Sequence, residues 1–276
     1  MVGSCGRRAG LAPVRPADPS QTVRIWRTDL DAWDPARFLD VLSPDERHRR
    51  LRLRSEIDRQ RAIVARGLLR ELLGGALHLG AAEVPLGVGP WGKPRLVGLA
   101  DPTDRHPVAF SQSRSGPMAL FACSKGRRIG VDVERIRPLR DTTALAEAIL
   151  APHELEVARN DAGRDLDLVV LRAWTLKEAF LKAVGIGLAC PPNRVELTAA
   201  SLRGRRPPRL RAVNDDPDVA RRWVLRSFAP GDGTVAALVI ERPDDDHGRR
   251  THRQQAPSVA GVGRAGLLSA STGDRR

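Results

Sequence analysis

The chain has few of the residues that would tie it to an oxidising compartment or to a membrane. Its three cysteines, Cys5, Cys123 and Cys190, are scattered without paired spacing, which excludes a disulfide framework and a cysteine zinc site. No apolar run approaches the roughly 20 residues of a membrane-spanning helix. The first residues are basic but lack the continuous apolar stretch of a secretory signal. We therefore expect a soluble cytoplasmic protein that does not bind membranes.

Aromatic residues are also scarce, with five Phe, five Trp and no Tyr. The formal net charge is nevertheless +13, so the expected partners are anionic: nucleic acid, a phosphorylated small molecule or an acidic protein surface. Because the bases of single-stranded nucleic acid stack on aromatic side chains, the shortage of aromatics argues against nucleic acid. The sequence also has no helix-turn-helix or zinc-finger pattern.

Lysine is rare, since only four of the 46 basic residues are lysines. Two of the four, Lys177 and Lys182, lie in one predicted helix together with Glu178. An ammonium group is a compact charge that can approach a phosphate closely. The retention of two lysines here, in a chain whose other basic residues are almost all arginine, suggests that this helix contacts a phosphate.

The chain divides into two tails and a central region. Residues 1–20 and 243–276 lack hydrophobic periodicity and are predicted to be disordered. Within the central region, residues 42–46 resemble residues 150–154, and each stretch precedes a long predicted helix. This weak repeat predicts two α+β halves, residues 21–127 and 128–242, with a ligand cleft between them. Because the match is short, chance similarity is an equal alternative.

Hydrophobic periodicity and capping signals predict the main elements. Ser43 and Glu46 form a capping box, with proline at the first helical position. The helix at 56–78 has Arg66 and Arg70 among its basic positions. The other predicted elements are helical regions at 142–160 and 166–184, and strands at 23–27, 118–122, 129–133, 223–228 and 234–240.

The strand at 129–133 continues into a pair of acidic residues. Because side chains alternate along a strand, Asp132 and Glu134 share the face opposite Ile129, Val131 and Val133. Two carboxylates about 7 Å apart on one strand face can reach a single hard cation. The alternative is a half-exposed strand whose acids face water.

The helix at 166–184 places Glu178 and Lys182 one turn apart on one face. A surface ion pair is the simplest interpretation of this spacing. Trp174, one turn before Glu178, belongs to a face that packs inward, and this favours a cleft wall. Three carboxylates and a lysine could together hold a divalent cation against a phosphate.

Two further segments contain phosphate-binding residue types. Residues 87–93 have the letters of a phosphate-binding loop, but Pro94 stands where that loop needs Ser or Thr, and we reject the assignment. A Gly-Lys-Pro turn that aims Lys93 at a phosphate remains. Residues 110–116 place short hydroxyls, including Ser113, around Arg114, which suits a phosphate. A plain polar loop explains them equally well.

The two acidic segments together resemble the paired signatures of the 4′-phosphopantetheinyl transferases, of the surfactin-synthetase-activating type. The first signature is residues 130–134, Gly-Val-Asp-Val-Glu. In the second, the family positions are held by Trp174, Lys177, Glu178, Ala179 and Lys182. The Gly-Lys-Pro turn and the polar segment also match in order and spacing, so the resemblance covers residues 23–242. It implies an α+β fold, an intramolecular pseudo-dimer of two similar halves with the active site in the cleft between them.

The resemblance also implies an activity and its residues. The phosphopantetheine arm of coenzyme A would pass to a serine of an apo carrier protein (acyl, peptidyl or aryl), releasing adenosine 3′,5′-bisphosphate. Asp132, Glu134 and Glu178 would hold Mg²⁺ on the pyrophosphate, Glu178 would take the serine proton, and Lys182 would neutralise developing charge. The residues implied to contact coenzyme A are Arg49, Lys93, Ser113 and Arg114. The implied partners are coenzyme A and an acidic carrier protein, and we expect a monomer.

One departure from the family pattern concerns the coenzyme A contacts. The family's polar loop usually has Ser-His-Ser where this chain has Ser-Arg-Ser, so Arg114 replaces a histidine. Arginine can still bind a phosphate bidentately, and altered affinity is expected. A non-catalytic relative that only binds coenzyme A or a carrier protein is therefore one alternative. A basic nucleic-acid-binding protein is the other.

Overall fold

The computed structural model describes residues 10–14, 23–89, 91–98, 108–160, 165–205 and 207–243. Most of both predicted disordered tails lies outside these residues. Inside the N-terminal tail, however, Ala12–Val14 form a strand that pairs with residues 25–27, so the prediction of disorder is wrong for this segment. The backbone of Ala12–Val14 finds its hydrogen-bond partners in residues 25–27, and the composition of the tail could not indicate this pairing.

The N-terminal half combines a four-stranded antiparallel sheet with two helices. Its elements are β1 Ala12–Val14, β2 Val23–Asp29, α1 Pro44–Leu51, α2 Glu56–Leu77, β3 Leu86–Val88, β4 Pro94–Leu96, β5 Val108–Ser115 and β6 Met118–Lys125. The sheet order is β1-β2-β6-β5, and β3 and β4 form a separate hairpin. The predicted capping box is confirmed, since Ser43 and Glu46 cap each other at the start of α1. Helix α2 buries Leu68 and Leu73 in one core with Phe110 and Phe121 of the sheet.

The C-terminal half has a three-stranded antiparallel sheet in the order β10-β11-β7, and a small β8–β9 hairpin. Its elements are β7 Ile129–Arg135, α3 Thr142–Ile149, α4 Pro152–Asn160, α5 Leu166–Val184, β8 Val195–Leu197, α6 Ala199–Leu202, β9 Leu210–Val213, α7 Pro217–Arg221, β10 Trp223–Phe228 and β11 Thr234–Glu241. Asp165 caps the start of α5, and Gly185 ends it in the left-handed conformation. Helices and antiparallel sheets together make the chain α+β, as predicted.

The two sheets pack against each other through a shared apolar layer. Ile25 and Leu120 from the first sheet lie in one buried cluster with Val131, Val133 and Leu238 from the second. Strands β6 and β7 follow one another closely in the chain but belong to different sheets, so their short connection does not make a hairpin. It carries the chain from one sheet to the other and brings β7 beside β5.

The polar segment at 110–116 is not a loop, and that interpretation is wrong. Residues 110–115 belong to β5, which pairs with β6 over its full length, and Gly116 lies in the turn between the two strands. Alternation along β5 places Ser111, Ser113 and Ser115 toward β7, while Gln112 and Arg114 line a pocket. Short polar residues are typical of a loop, which is why the composition suggested one. Here they form an edge strand because they pair with the apolar strand β6.

The two larger sheets have comparable strand orders. The strand order β2-β6-β5 corresponds to β7-β11-β10, with one long helix in each half. In the first half, buried Glu46 caps the backbone of Ser43 and accepts a hydrogen bond from Arg70 Nε at 2.8 Å. In the second half, buried Glu154 caps Ala151 and accepts from Lys177 Nζ at 2.5 Å. Each glutamate thus ties its short helix to the long helix of the same half.

Candidate active site

Strand β7 carries Asp132 in an almost fully buried position, with 3% of its surface exposed. Its Oδ1 atom accepts hydrogen bonds from Ser113 Oγ at 2.7 Å and from Lys182 Nζ at 2.6 Å. Its Oδ2 atom is buried and has no hydrogen-bond partner in the described part of the chain. A buried carboxylate oxygen without a partner is costly, and a bound cation would remove that cost.

Glu134 lies two residues further along the same face of β7. Ser115 Oγ donates a hydrogen bond to its Oε2 atom at 2.9 Å, and the Trp174 side chain donates another. Burial, reinforced by the negative charge of Asp132, raises the pKa of Glu134 despite these two donors. The site therefore concentrates negative charge beyond what its own donors compensate.

Helix α5 crosses β7 at Gly130, and the crossing is very close. A Cβ atom at Gly130 would lie 1.9 Å from the carbonyl oxygen of Ala179, so only glycine fits there. The close approach brings Glu178 and Lys182, on either side of Ala179, down to the acidic face of the strand. The glycine of the first signature is thus a packing requirement that positions the second signature.

Glu178 is the carboxyl group most perturbed by this environment. Burial raises its pKa to about 7, Lys182 opposes the rise, and the charges of Asp132 and Glu134 add to it. Its Oε1 atom is buried and has no hydrogen-bond partner among the described residues. A carboxyl group with a pKa near neutrality is suited to accept a proton.

Lys182 is the counter-charge of the cluster. Burial disfavours its charged form, but Asp132, followed by Glu178 and Glu134, outweighs burial and raises its pKa. The ammonium also donates to Ser113 Oγ at 3.0 Å. Lys182 therefore stays protonated and forms an ion pair with Asp132.

Within the described residues, no three carboxyl, His or Cys side chains already converge as a cation site. The donor set nevertheless fits a hard divalent cation, because three carboxyl groups influence one another's charge. Asp132 and Glu178 each have a buried oxygen that has no hydrogen-bond partner among the described residues. A cation would occupy these oxygens and relieve the repulsion among the acids.

A cavity of about 370 Å³ adjoins this cluster between α2, β5 and α5. Its lining residues are Arg50, Ala62, Ala65, Arg66, Gln112, Ser113, Arg114, Ala119, Phe121 and Lys182. Burial, and then the charge of Arg66, lower the pKa of Arg50 to about 10, and Glu46 opposes the fall. Guanidinium groups that repel one another in a cavity favour an anionic ligand, and phosphate is the ligand whose geometry suits them.

Comparison with known proteins gives the site a family. Residues 128–239 match the model of the 4′-phosphopantetheinyl transferase superfamily. The chain is 33% identical over 224 residues to the 4′-phosphopantetheinyl transferase HetI of Nostoc sp., covering 80% of this chain and 88% of that protein. The chain belongs to the 4′-phosphopantetheinyl transferase superfamily. It is therefore an enzyme of the transferase class.

Two further relatives extend the comparison. A phosphopantetheinyl transferase of Thraustochytrium sp. is 31% identical over 196 residues, covering 65% of this chain and 67% of that protein. The 4′-phosphopantetheinyl transferase Sfp of Bacillus subtilis is 25% identical over 156 residues, covering 56% of this chain and 65% of that protein. The family model covers only the C-terminal half of this transferase, whereas these alignments cover more than half of the chain.

The structure brings some of the predicted site residues of this transferase together. Asp132, Glu134, Glu178 and Lys182 form one cluster, and Ser113 joins the cluster to the cavity. Arg114 lines the cavity.

Two predicted residues of the transferase lie away from this cluster. Lys93 donates a hydrogen bond to the carbonyl of Lys182, and burial and the charge of Arg128 lower its pKa to about 8. Lys93 therefore reaches the C-terminal end of α5 and does not line the cavity. Arg49 is exposed on α1 and is also not a lining residue, whereas Arg50 and Arg66 are.

Three residues that lie at this candidate site of the transferase were not among the predicted site residues: Ser115, Arg50 and Arg66. Gly130 was part of the first signature, but its packing role was not predicted. The alternation of serines along residues 111–115 could have indicated Ser115, because a two-residue period is typical of a strand. The arginines carried no such signal. Glu46 forms ion pairs with Arg66 at 3.5 Å and Arg70 at 2.8 Å.

Proposed function

We propose that this transferase moves the 4′-phosphopantetheine arm of coenzyme A to a serine of an apo carrier protein, in a Mg²⁺-dependent reaction that releases adenosine 3′,5′-bisphosphate. The observation that carries the proposal is the acidic cluster. Asp132 and Glu178 each have a buried oxygen with no hydrogen-bond partner among the described residues, and Lys182 of the same cluster lines an arginine-rich cavity. One side of this arrangement suits a cation and the other suits phosphates.

Asp132, Glu134 and Glu178 are the residues that would hold Mg²⁺. Mg²⁺ prefers carboxylate oxygen and water, and these acids provide oxygen donors only. When bound, the ion supplies Lewis-acid stabilisation of charge on pyrophosphate oxygens. Ser113 and Ser115 already orient two of the three carboxylates from outside the cluster.

Glu178 and Lys182 carry out the proton and charge steps in this proposal. The Glu178 carboxylate, with one buried oxygen that has no hydrogen-bond partner among the described residues, would accept the proton of the carrier serine, directly or through water. The serine oxygen then bonds to the phosphorus nearest the pantetheine arm, and the bond to the leaving bisphosphate oxygen breaks. Lys182 remains protonated and neutralises charge on the transferring phosphoryl and leaving groups.

The cavity beside the cluster is the proposed site of the coenzyme A phosphates. Ser113 and Arg114 line it as the family resemblance implies, and Arg50 and Arg66 add two guanidinium groups. Arg49, exposed on α1, is a candidate for a contact at the outer rim. Lys93 is a candidate for a contact once a ligand draws its ammonium from the end of α5.

The basic character of the chain suggests the second substrate. A net charge of +13 would attract an acidic carrier protein to the cleft and speed the encounter. The chain offers few aromatic side chains for stacking on bases, so nucleic acid is the weaker alternative. Among the described residues, no helix is both long and apolar enough to cross a bilayer.

We further infer that the chain is a pseudo-dimer of halves 21–127 and 128–242, with the active site at their junction. The matching strand orders and the two buried glutamates, Glu46 and Glu154, support this inference. So does the cluster itself, because Ser113 comes from one half and Asp132 and Lys182 from the other. Since each half completes the other within one chain, the proposal includes a monomer that acts in the cytoplasm.

Mass spectrometry of the carrier protein tests the proposed function. Apo acyl and peptidyl carrier proteins are incubated with the transferase, coenzyme A and Mg²⁺, and one serine should gain about 340 Da, the mass of the arm transferred by phosphoryl chemistry. Calorimetry with coenzyme A is run in parallel. Coenzyme A binding without any mass gain would favour the non-catalytic alternative. Binding to oligonucleotides with a steep salt dependence would favour the nucleic-acid alternative.

A further inference from the structure

Strands β5 and β7 lie side by side, yet they belong to different sheets and exchange no backbone hydrogen bonds in the described part of the chain. Serine hydroxyls of β5 lie between the two strands instead, and we call this contact between β5 and β7 the serine seam. The backbone N–H of Val131 donates to Ser111 Oγ at 3.1 Å, and that of Arg135 donates to Ser115 Oγ at 3.1 Å. Two backbone N–H groups on the edge of β7 that faces β5 therefore find acceptors in side chains of the other half.

Two of the three serines, Ser113 and Ser115, donate a hydrogen bond to an acid of the cluster. Ser115 Oγ donates to Glu134 Oε2 at 2.9 Å, and Ser113 Oγ donates to Asp132 Oδ1 at 2.7 Å. A hydroxyl has one proton. Because Ser115 accepts from the Arg135 backbone, its proton is directed at Glu134, and the direction of this hydrogen bond is fixed by the strand.

We propose that Ser115, with Ser113, is a positioning residue for the metal-binding carboxylates, acting across the seam between the two halves. This inference rests on the proposed function, in which Asp132 and Glu134 hold the cation. Each serine engages one carboxylate oxygen and so fixes the rotation of the carboxyl group and the direction of its second oxygen. For Asp132 that second oxygen is the buried atom that has no partner among the described residues.

Glu134 depends more than Asp132 on groups that hold its carboxyl group in one orientation. A glutamate has one more rotatable bond than an aspartate, and fixing its carboxyl group costs more conformational entropy. Ser115 and Trp174 together supply two donors that hold it in place before the cation arrives. Groups that orient a metal ligand in this way typically change metal affinity about 10- to 100-fold when they are removed.

Ser111 provides a matched control because it lies on the same face of the same strand. It accepts a hydrogen bond from a β7 backbone N–H, as Ser115 does, but none of the hydrogen bonds described for it reaches a carboxylate. Ser111→Ala therefore removes the structural function alone. Ser115→Ala removes both the structural and the positioning function, and Ser115→Thr keeps a hydroxyl in place.

The test measures Mn²⁺ binding to the protein alone by calorimetry, and the Mg²⁺ concentration that gives half-maximal transfer. For Ser115→Ala we expect Mn²⁺ binding and half-maximal Mg²⁺ to weaken about tenfold, with little change in the KM for coenzyme A. For Ser115→Thr and Ser111→Ala we expect both values to stay within about twofold of the unmodified protein. Unfolding in urea measures the stability of each variant and identifies any that fails to fold.

Equal metal binding in Ser115→Ala and the unmodified protein would overturn the inference, as would equal weakening in Ser111→Ala and Ser115→Ala. Failure of the proposed function gives a different result, because the unmodified protein would then transfer no arm at any Mg²⁺ concentration. If Ser115→Ala loses its fold, Ser113→Ala takes its place in the binding measurement. A normal Mn²⁺ affinity in that variant would then count against the inference.

Discussion

At the scale of single residues, Lys182 contacts the same carboxylate that a bound cation would contact. Its ammonium contacts Asp132 Oδ1 at 2.6 Å, next to the buried oxygen of the same carboxylate that has no partner in the described part of the chain. Lysine and cation are then competitors for one carboxylate in the free protein. A phosphate in the cavity would draw the lysine away and leave Asp132 to the metal. Coenzyme A and metal binding would therefore favour each other.

Replacing Lys182 should affect metal binding and arm transfer in opposite directions. Lys182→Met should strengthen Mn²⁺ binding to the protein alone by about tenfold, because a positive charge beside the site is removed. The same variant should lose most arm transfer, since the charge that develops on phosphate is no longer neutralised. Lys125→Met, an exposed lysine at the end of β6, is the control and should change neither. Weaker Mn²⁺ binding in Lys182→Met would show that the lysine does not compete with the cation.

Glu178 makes the stability of the metal-free protein depend on pH. Its pKa is about 7 when folded and near the ordinary value of 4.5 when unfolded, so between these values the folded state holds a proton that the unfolded state has lost. Stability therefore falls as pH rises from about 4.5 to 7. Glu178→Gln removes this dependence and should be more stable at pH 8 by about 2 kcal/mol, after a discount for partial exposure.

Urea unfolding in the presence of a chelator measures this effect. Below about pH 4 Glu178 is protonated in both states, and the variant and the unmodified protein should then differ little. A stability difference that does not change between pH 4 and pH 8 would contradict the assigned environment of Glu178. Addition of Mg²⁺ should stabilise the unmodified protein more than Glu178→Gln.

At the scale of elements, the contact between β7 and α5 decides the geometry of the site. Gly130 lets the helix approach so closely that the carbonyl of Ala179 occupies the space of a side chain. The strand supplies Asp132 and Glu134, and the helix supplies Glu178 and Lys182. The distance between the two signatures in space is therefore set by one glycine.

Gly130→Ala should damage stability and activity together. The added methyl group must push α5 away from β7, which opens the core and separates the acids, and we expect a loss of about 2–4 kcal/mol in the free energy of unfolding. Gly75→Ala is the matched control, because a Cβ there would meet nothing within 4 Å and lies inside helix α2. The control should gain up to about 1 kcal/mol. Normal activity in Gly130→Ala would contradict the close crossing.

Periodicity predicted the helices that begin at Glu56 and Leu166 and the strand that carries Asp132, because their apolar faces are continuous in sequence. It could not show that Arg66, Arg70 and Lys177 are buried, since a basic residue on a helix normally faces solvent. Their burial depends on Glu46 and Glu154, which are more than 15 residues away along the chain. Such pairing is tertiary information.

The choice between Arg49 and its neighbour Arg50 illustrates the same limit. Adjacent helical residues point in directions about 100° apart, so one of them faces the cavity and the other faces solvent. Which one does depends on how α1 packs against α2, and a short, highly charged helix leaves no apolar stripe from which to read that packing. That Arg50 and not Arg49 lines the cavity could therefore be seen only in the structure, and a coenzyme A contact from α1 stays a prediction.

At the scale of the whole molecule, the two halves are joined by a shared apolar layer and by the serine seam. Leu120 and Val131 lie in the same buried cluster although they come from different sheets. In the proposed function the active site would draw residues from both halves, and neither half would then contain a complete site. Catalysis and the cohesion of the halves are therefore expected to be lost together.

Native-state hydrogen exchange tests whether the molecule opens as one unit. Amides of β6 and β11 should exchange with the same opening free energy, because exposing one sheet face exposes the other. The opening free energy should also match the free energy of unfolding measured in urea. A much lower value for either strand would show that one half unfolds independently of the other.

The central claim is that Asp132, Glu134 and Glu178 hold a divalent cation next to Lys182 and the phosphates of coenzyme A. Crystals of the protein grown with coenzyme A and Mn²⁺ allow the most direct measurement, the anomalous difference density of the metal. The account predicts one peak within about 2.2 Å of an oxygen of each of the three acids, with the pyrophosphate as a further ligand. Coenzyme A bound in the cavity with no metal peak at these acids would contradict it.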